Sequence, residues 1–168
     1  GEEVIIQLTD VINDCRKNRV ARKECLRRLA GLRGVYVPSL YHDEYNEDGT
    51  LKSLEPIDGC APQKVLKCII TDFENAYAST HPPVPYLQVV FDRIMLEIMR
   101  GCTRGCRFCQ AGMLYRPVRE RSVEKLVQLA KESVENTGYE EISLSSLSSS
   151  DYSCISELAE RLTEELKD

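Results

Sequence analysis

Three cysteines that lie close together are the residues of this sequence whose type and spacing could support chemistry. Cys102, Cys106 and Cys109 follow the pattern Cys-x3-Cys-x2-Cys, directly after the apolar run 94–99. A loop with three thiolates can surround one compact metal centre, and iron–sulfur clusters are the usual occupants. Because ferredoxin-type clusters take four cysteines, three cysteines leave one iron without a protein ligand. An open metal position is where a substrate or cofactor can bind.

Two other interpretations of these cysteines stay open. They could be structural residues, with two of them in a disulfide, although the tight spacing in a strand–loop–helix context favours a cluster. They could also bind zinc, but a zinc site needs a fourth Cys or His, and none lies nearby in the sequence. Gly101 and Gly105 are expected to ease the turns that a cluster loop requires.

The spacing, with the aromatic Phe108 directly before the third cysteine, resembles the radical S-adenosylmethionine (SAM) family. The wider runs 97–102 and 116–121 are similar to its B12-binding-type branch, in which the substrate is often unassigned. The resemblance implies that Cys102, Cys106 and Cys109 ligate a [4Fe–4S] cluster whose open iron is chelated by the amino and carboxylate groups of SAM. It also implies reductive cleavage of SAM to a 5′-deoxyadenosyl radical, with a reductant protein such as flavodoxin or ferredoxin.

Further site residues come from the same resemblance. Phe108 is similar to the family's aromatic residue whose backbone lies against the SAM adenine, although it could equally be a core phenylalanine. In the family, residues that close the second strand bind the SAM amino group, often through Gly-Gly-Glu. Here Ser145 and Ser146 take that position, so hydroxyl and backbone groups are expected to do this work. The resemblance singles out no catalytic residue.

Four other side chains near the predicted loops each allow a functional and a non-functional interpretation. Arg116, Arg119 and Arg121 could pair with a carboxylate or phosphate of the cofactor or substrate, or form a surface run without function. Cys154 could be a reactive thiol on the same face, but a buried cysteine is the commoner explanation.

Hydrophobic spacing around the cysteines predicts an α/β fold. The predicted order is a strand at residues 94–99, the cysteine loop at 100–110, a helix at 123–134, a strand at 141–145, a serine-rich turn and a helix at 155–166. Ser122 is a suitable N-cap, and Gly138 a suitable stop, for the first helix. The resemblance implies that these are the first two β/α units of a partial (β/α)6 radical SAM barrel, with chemistry at the C-terminal ends of the strands. With only two units, the fragment is expected to be inactive alone, and its open sheet edge predicts self-association.

The preceding part of the chain is predicted to be a small α/β or helical extension. Helices are expected at residues 2–16 and 22–30, strands at 34–38 and 64–70, and a hairpin at Asp48-Gly49. The proline-rich segment 80–85 predicts a boundary between an extension or linker, 1–85, and the start of the radical SAM domain, 86–168. In the family a cobalamin-binding domain precedes this linker. Its Asp-x-His-x-x-Gly signature does not occur here, so cobalamin, a cofactor compatible with the full-length protein, has no support from these residues.

Composition sets the remaining limits. The 168 residues are 42% apolar and 29% charged, with a net charge of −5, which gives no electrostatic footprint for nucleic acid or an anionic membrane. No apolar segment approaches the ~20 residues of a membrane helix, and the acidic start differs from a signal peptide. The eight cysteines are unevenly placed, so a reduced, cytoplasmic protein is predicted. The leading hypothesis is a radical SAM oxidoreductase fragment; an iron–sulfur electron-transfer module without SAM chemistry and a zinc-stabilised binding domain are the alternatives.

Overall fold

The computed structural model describes residues 1–166, and the contacts within the chain divide it into two units, Gly1–Ile70 and Thr71–Asp168. The boundary predicted near residue 85 lies inside the second unit. The assignment of residues 1–85 and 86–168 to separate domains therefore stays a prediction.

The first unit contains the two predicted helices and the predicted hairpin. Helix α1 spans Glu3–Lys17 and helix α2 spans Arg22–Ala30. Strands β1, Tyr41–Tyr45, and β2, Leu51–Pro56, pair in antiparallel fashion. In the connecting turn, the Asp48 carboxylate accepts the Thr50 N–H at 2.9 Å, and Gly49 has a φ of +80°. The Asp48-Gly49 signal thus marked the hairpin correctly.

The strands predicted at residues 34–38 and 64–70 are wrong. The Val35 N–H donates to the Leu32 carbonyl at 3.2 Å in a turn, and Pro38 starts a short 3₁₀ helix, Pro38–Leu40. Residues 64–70 have an irregular backbone. Val37 and Ile70 are nevertheless buried, so the apolar spacing in both segments reflects burial without strand pairing.

The second unit has the predicted order of elements. Strand β3, Ile94–Glu97, pairs in parallel with strand β6, Ile142–Ser145, and the register runs from Ile94 opposite Ile142 to Glu97 opposite Ser145. Helix α4, Val123–Thr137, connects the two strands, and helix α5, Ile155–Glu165, follows β6. This confirms a mixed α/β arrangement with two successive β/α units. The larger (β/α)6 barrel stays a prediction.

Helix α4 is fixed by its own sequence and by the core beneath it. The Ser122 hydroxyl accepts the Lys125 N–H at 3.1 Å, and Gly138, with a φ of +70°, follows the last helical residue. The buried face of α4 packs in one core with strand and helix residues: Leu96, Ile98, Met99, Val123, Leu126, Val127, Leu129, Ala130, Tyr152 and Leu158. This core holds the end of β3, where the cysteine loop begins.

The predicted strand 94–99 is interrupted at Ile98. Strand β4, Met99–Arg100, leaves the parallel sheet and pairs in antiparallel fashion with strand β5, Arg119–Glu120. Between β4 and β5 the chain forms the cysteine loop and helix α3, Gln110–Leu114. The β4–β5 pair therefore closes the loop at its base. None of the helices between residues 1 and 166 has the length and apolar content needed to cross a membrane.

Candidate metal centre

The three predicted ligands lie on one loop that joins β4 to α3. Cys102 and Cys109 are half-buried, Cys106 is exposed, and all three are free thiols. The Cys102 Sγ accepts the Arg104 N–H at 3.4 Å. The Cys109 Sγ accepts the Gly112 N–H at 3.4 Å and so caps the start of α3. Backbone N–H groups therefore contact two of the three sulfurs, and the thiolate is the form of cysteine that binds metals.

Glycine is required at the start of this loop. Gly101 has a φ of +91°, and a Cβ there would lie 2.8 Å from the Pro117 carbonyl oxygen and 2.9 Å from that of Tyr115. Gly105 has a φ of +64°, but the atom nearest to its Cβ position is 3.6 Å away. The expectation that these glycines ease the turns is confirmed, and at Gly101 the close return of the loop adds a second reason.

The donor set fits an iron–sulfur cluster by its chemistry. Three soft thiols share one short loop, and two of their sulfurs already accept backbone N–H groups. Within residues 1–166, there is no group of three or more His, Cys, Asp or Glu side chains close enough together to hold a metal ion. The three sulfurs are therefore not gathered in this arrangement, and binding a cluster requires the loop to bring them together.

The predicted SAM-binding serines lie at the C-terminal end of β6, where Ser145 is the last strand residue and Ser146 the next, at the same edge of the sheet as the cysteine loop. The Ser145 carbonyl accepts the Ile98 N–H at 3.1 Å, which joins the ends of the two parallel strands. Beyond it, the Ser146 hydroxyl accepts the Ser148 N–H at 3.1 Å and lies 2.9 Å from the Ser149 hydroxyl. The structure thus places the two loops side by side, with the Ser146 hydroxyl bonded inside its own turn.

An ion pair that the sequence analysis missed connects the two loops. The Arg104 Nε donates to Asp151 Oδ2 at 2.7 Å, and the Arg104 Nη2 bonds to the other carboxylate oxygen. Hydrogen bonds from Arg104 and then from the Ser148 hydroxyl hold the pKa of the Asp151 carboxyl below its usual range. The partners are 47 positions apart in the sequence, and no local pattern marks them as a pair.

Phe108 and Cys154 are both exposed. The Phe108 side chain is 92% exposed beside Cys109, so its interpretation as a core residue is wrong. Cys154 precedes α5 and is also exposed, which contradicts the burial expected for it.

The three arginines beyond the loop bond to the chain itself. Arg116 Nε donates to the Cys102 carbonyl at 3.3 Å, and Arg119 Nε to the Pro117 carbonyl at 3.1 Å. Arg121 is only 2% exposed, so the surface interpretation is wrong for this residue. All three side chains hold backbone carbonyls in place, a role that the sequence analysis did not consider.

Comparison with known proteins finds a family model and a relative that each match part of the chain. Residues 96–168 match the family model described as the Radical SAM superfamily. An uncharacterized protein of Methanocaldococcus jannaschii is 44% identical over 64 residues, which are 38% of this chain and 14% of that protein. No solved structure matches the chain significantly. The family match starts within β3 and includes the cysteine loop, the serine turn and both helices that follow the strands.

Proposed function

We propose that this chain, whose residues 96–168 match the Radical SAM superfamily model, binds a [4Fe–4S] cluster through Cys102, Cys106 and Cys109 and acts in the reductive cleavage of SAM. The observation that carries the proposal is the position of the three thiols, on one loop after the C-terminal end of β3. Loops at this edge of a parallel sheet are where β/α enzymes carry their chemistry.

The protein's part in this chemistry is to ligate, orient and exclude solvent. The three thiolates would hold the cluster, with the N–H groups of Arg104 and Gly112 donating to two of the sulfurs. When bound, such a cluster supplies the electron that cleaves SAM. Ser145 and Ser146, at the end of the neighbouring strand, would bind the SAM amino group through hydroxyl and backbone groups. The Phe108 backbone would lie against the adenine.

The proposal extends to the longer protein of which this chain resembles a part. The matched segment spans only 14% of the length of its curated relative. We propose that the longer protein contains the later units of a (β/α)6 barrel, which supply the substrate contacts, and that it belongs to the B12-binding-type branch. The same holds for a cytoplasmic location, oxidoreductase chemistry and a flavodoxin or ferredoxin as the electron donor.

Anaerobic reconstitution of the chain with iron and sulfide tests ligation. We expect brown absorbance and about four irons per chain. Replacing Cys102, Cys106 or Cys109 by alanine should abolish the absorbance. Cys154→Ala, an exposed thiol outside the loop, is the matched control and should retain it. Retention of full iron content by any of the three loop variants would refute the assignment.

Addition of SAM to the reduced, reconstituted chain tests the second half of the proposal. A change in the electron paramagnetic resonance signal is expected because SAM would ligate the open iron. An unchanged signal would favour an electron-transfer module without SAM chemistry. Binding of zinc without uptake of iron would favour the zinc-stabilised domain.

A further inference from the structure

Three consecutive residues, Asp151, Tyr152 and Ser153, each bond to the segment that carries the cysteines; we call them the 151–153 clamp. The Tyr152 hydroxyl, on a residue that is 3% exposed, donates to the Arg121 carbonyl at 2.8 Å. The Ser153 N–H donates to Glu120 Oε1 at 3.1 Å, and its hydroxyl donates to Oε2. These two residues hold the base of the cysteine loop, where β5 ends.

Asp151 reaches the tip of the same loop. Its two carboxylate oxygens accept from the Nε and Nη2 groups of Arg104, the parallel geometry that makes Arg–carboxylate pairs directional. Arg104 lies between Cys102 and Cys106, and its N–H donates to the Cys102 sulfur at 3.4 Å. Arg104 therefore contacts a predicted cluster ligand, Cys102, through its backbone N–H, and it contacts the 151–153 clamp through its side chain.

Asp151 also holds the serine turn. The Ser148 hydroxyl donates to Asp151 Oδ2 at 2.8 Å, and the Ser148 N–H donates to the Ser146 hydroxyl at 3.1 Å. The Asp151 side chain is 19% exposed, so this carboxylate is less screened by water than an ordinary surface group. A single carboxylate thus connects the loop of the three thiols to the turn that follows β6.

We propose that Asp151, through Arg104, is a positioning residue that fixes the cysteine loop relative to the serine turn. The inference rests on the proposed function, in which one SAM molecule contacts both loops. Without the pair, each loop keeps its own ligating groups, but the two are no longer preorganised for a shared ligand. Loss of preorganisation weakens binding without removing a direct contact.

The test uses the reconstituted 168-residue chain and measures SAM affinity by equilibrium dialysis, with iron content as a second readout. Arg104→Ala and Asp151→Asn should each raise the SAM dissociation constant about fivefold, the effect of losing ~1 kcal/mol of a partly exposed pair. Iron per chain should not change. The double variant Arg104→Asp/Asp151→Arg should recover affinity relative to Arg104→Asp alone.

Arg161→Ala is the matched control. Arg161 also donates through Nε and Nη2 to a carboxylate, that of Glu165 on α5, and through Nη1 to Glu124 on α4, so these partners lie on helices outside both loops. Its SAM affinity should equal that of the unsubstituted chain. If Arg104→Ala has no larger effect than Arg161→Ala, the proposal is overturned.

Hydrogen exchange of the cluster-free chain separates this inference from the proposed function. Arg104→Ala should speed amide exchange in residues 101–107 and in residues 146–151 together, because the pair joins them. If the reconstituted chain takes up iron but binds no SAM, the proposed function fails. Hydrogen exchange alone then decides whether the Arg104–Asp151 pair couples the two loops. A rise in both segments then supports the coupling, and unchanged exchange in residues 146–151 overturns it.

Discussion

Replacement of Arg121 by alanine should detach the segment around Phe73 from the rest of the second unit. The buried guanidinium donates to the carbonyls of Phe73, Ala76 and Glu97 at 3.2, 3.0 and 3.4 Å. It also lies 4.5 Å from the centre of the Phe73 ring, and the Arg100 guanidinium lies 4.8 Å from the same centre. Arg121 therefore ties the carbonyls of Phe73 and Ala76 to the end of β3.

The expected loss follows from these contacts. A hydrogen bond to a charged group contributes about 1.5–3 kcal/mol, and a cation–π contact about 0.5–2 kcal/mol. Three bonds and one ring contact give about 5 kcal/mol at the lower end of these ranges. Alanine also removes the cost of keeping a charge away from water, which is several kcal/mol. We therefore expect a net loss of about 2–3 kcal/mol in the free energy of unfolding.

Urea unfolding followed by far-ultraviolet circular dichroism measures this loss. With a slope of ~1–3 kcal/mol per molar urea, the midpoint of the second unit should fall by about 1 M. Arg121→Lys keeps the charge but loses the planar fork, so its midpoint should lie in between. Arg119→Ala is the control, because Arg119 donates to carbonyls of its own loop.

Amide exchange in residues 71–80 should rise in Arg121→Ala and not in Arg119→Ala. A loss below about 0.5 kcal/mol, the size of an ordinary surface substitution, would refute the reasoning. It would show that water replaces the guanidinium at these carbonyls without cost.

Three further predictions concern the same unit. Gly101→Ala should cost more than 1 kcal/mol in thermal unfolding and reduce iron uptake, since its Cβ would lie 2.8 Å from a backbone oxygen; Gly105→Ala, with space around it, should be milder, and equal losses would contradict the argument. Burial raises the pKa of Tyr152 to about 12. The neutral Tyr152 hydroxyl contributes to the free energy of unfolding below pH 10, and this contribution is lost as the pH rises towards 12. The urea midpoints at pH 9 and 11 should therefore differ less in Tyr152→Phe than in the unsubstituted chain. Ser122→Ala should cost about 1–2 kcal/mol by thermal unfolding, because it removes the hydroxyl that caps α4 and donates to Glu74; an unchanged midpoint would show that this hydroxyl does not stabilise the helix.

Elements with local signals were predicted well from the sequence. Helix α4 carries its cap at Ser122, its stop at Gly138 and an apolar stripe, and all three act within a few residues of the helix. The strands predicted at 34–38 and 64–70 failed because a strand needs a partner elsewhere in the chain. A short apolar run can bury some of its residues in either conformation, as Val37 and Ile70 are buried here, so its composition alone does not decide between strand and coil.

The candidate site shows the same division. The cysteine spacing identified the loop, because all three thiols lie within a few residues of one another. The contacts that hold the loop were missed, since Arg104–Asp151 and Arg121–Phe73 join residues 47 and 48 positions apart. Nothing around Arg121 in the sequence indicates burial, because the neighbouring arginines make the run resemble a surface.

The pairing of β4 with β5 has a consequence for protein engineering. Arg100 and Arg119 are partners across this pair, so the chain departs and returns at nearly the same point. In a host protein, two neighbouring antiparallel strands would hold the two ends of an inserted segment equally close together. The entropic cost of closing the inserted loop grows only slowly with its length. We therefore expect that residues 101–118, with all three thiols, can be inserted between such strands, where they would lack the Arg104–Asp151 pair that holds the loop in this chain.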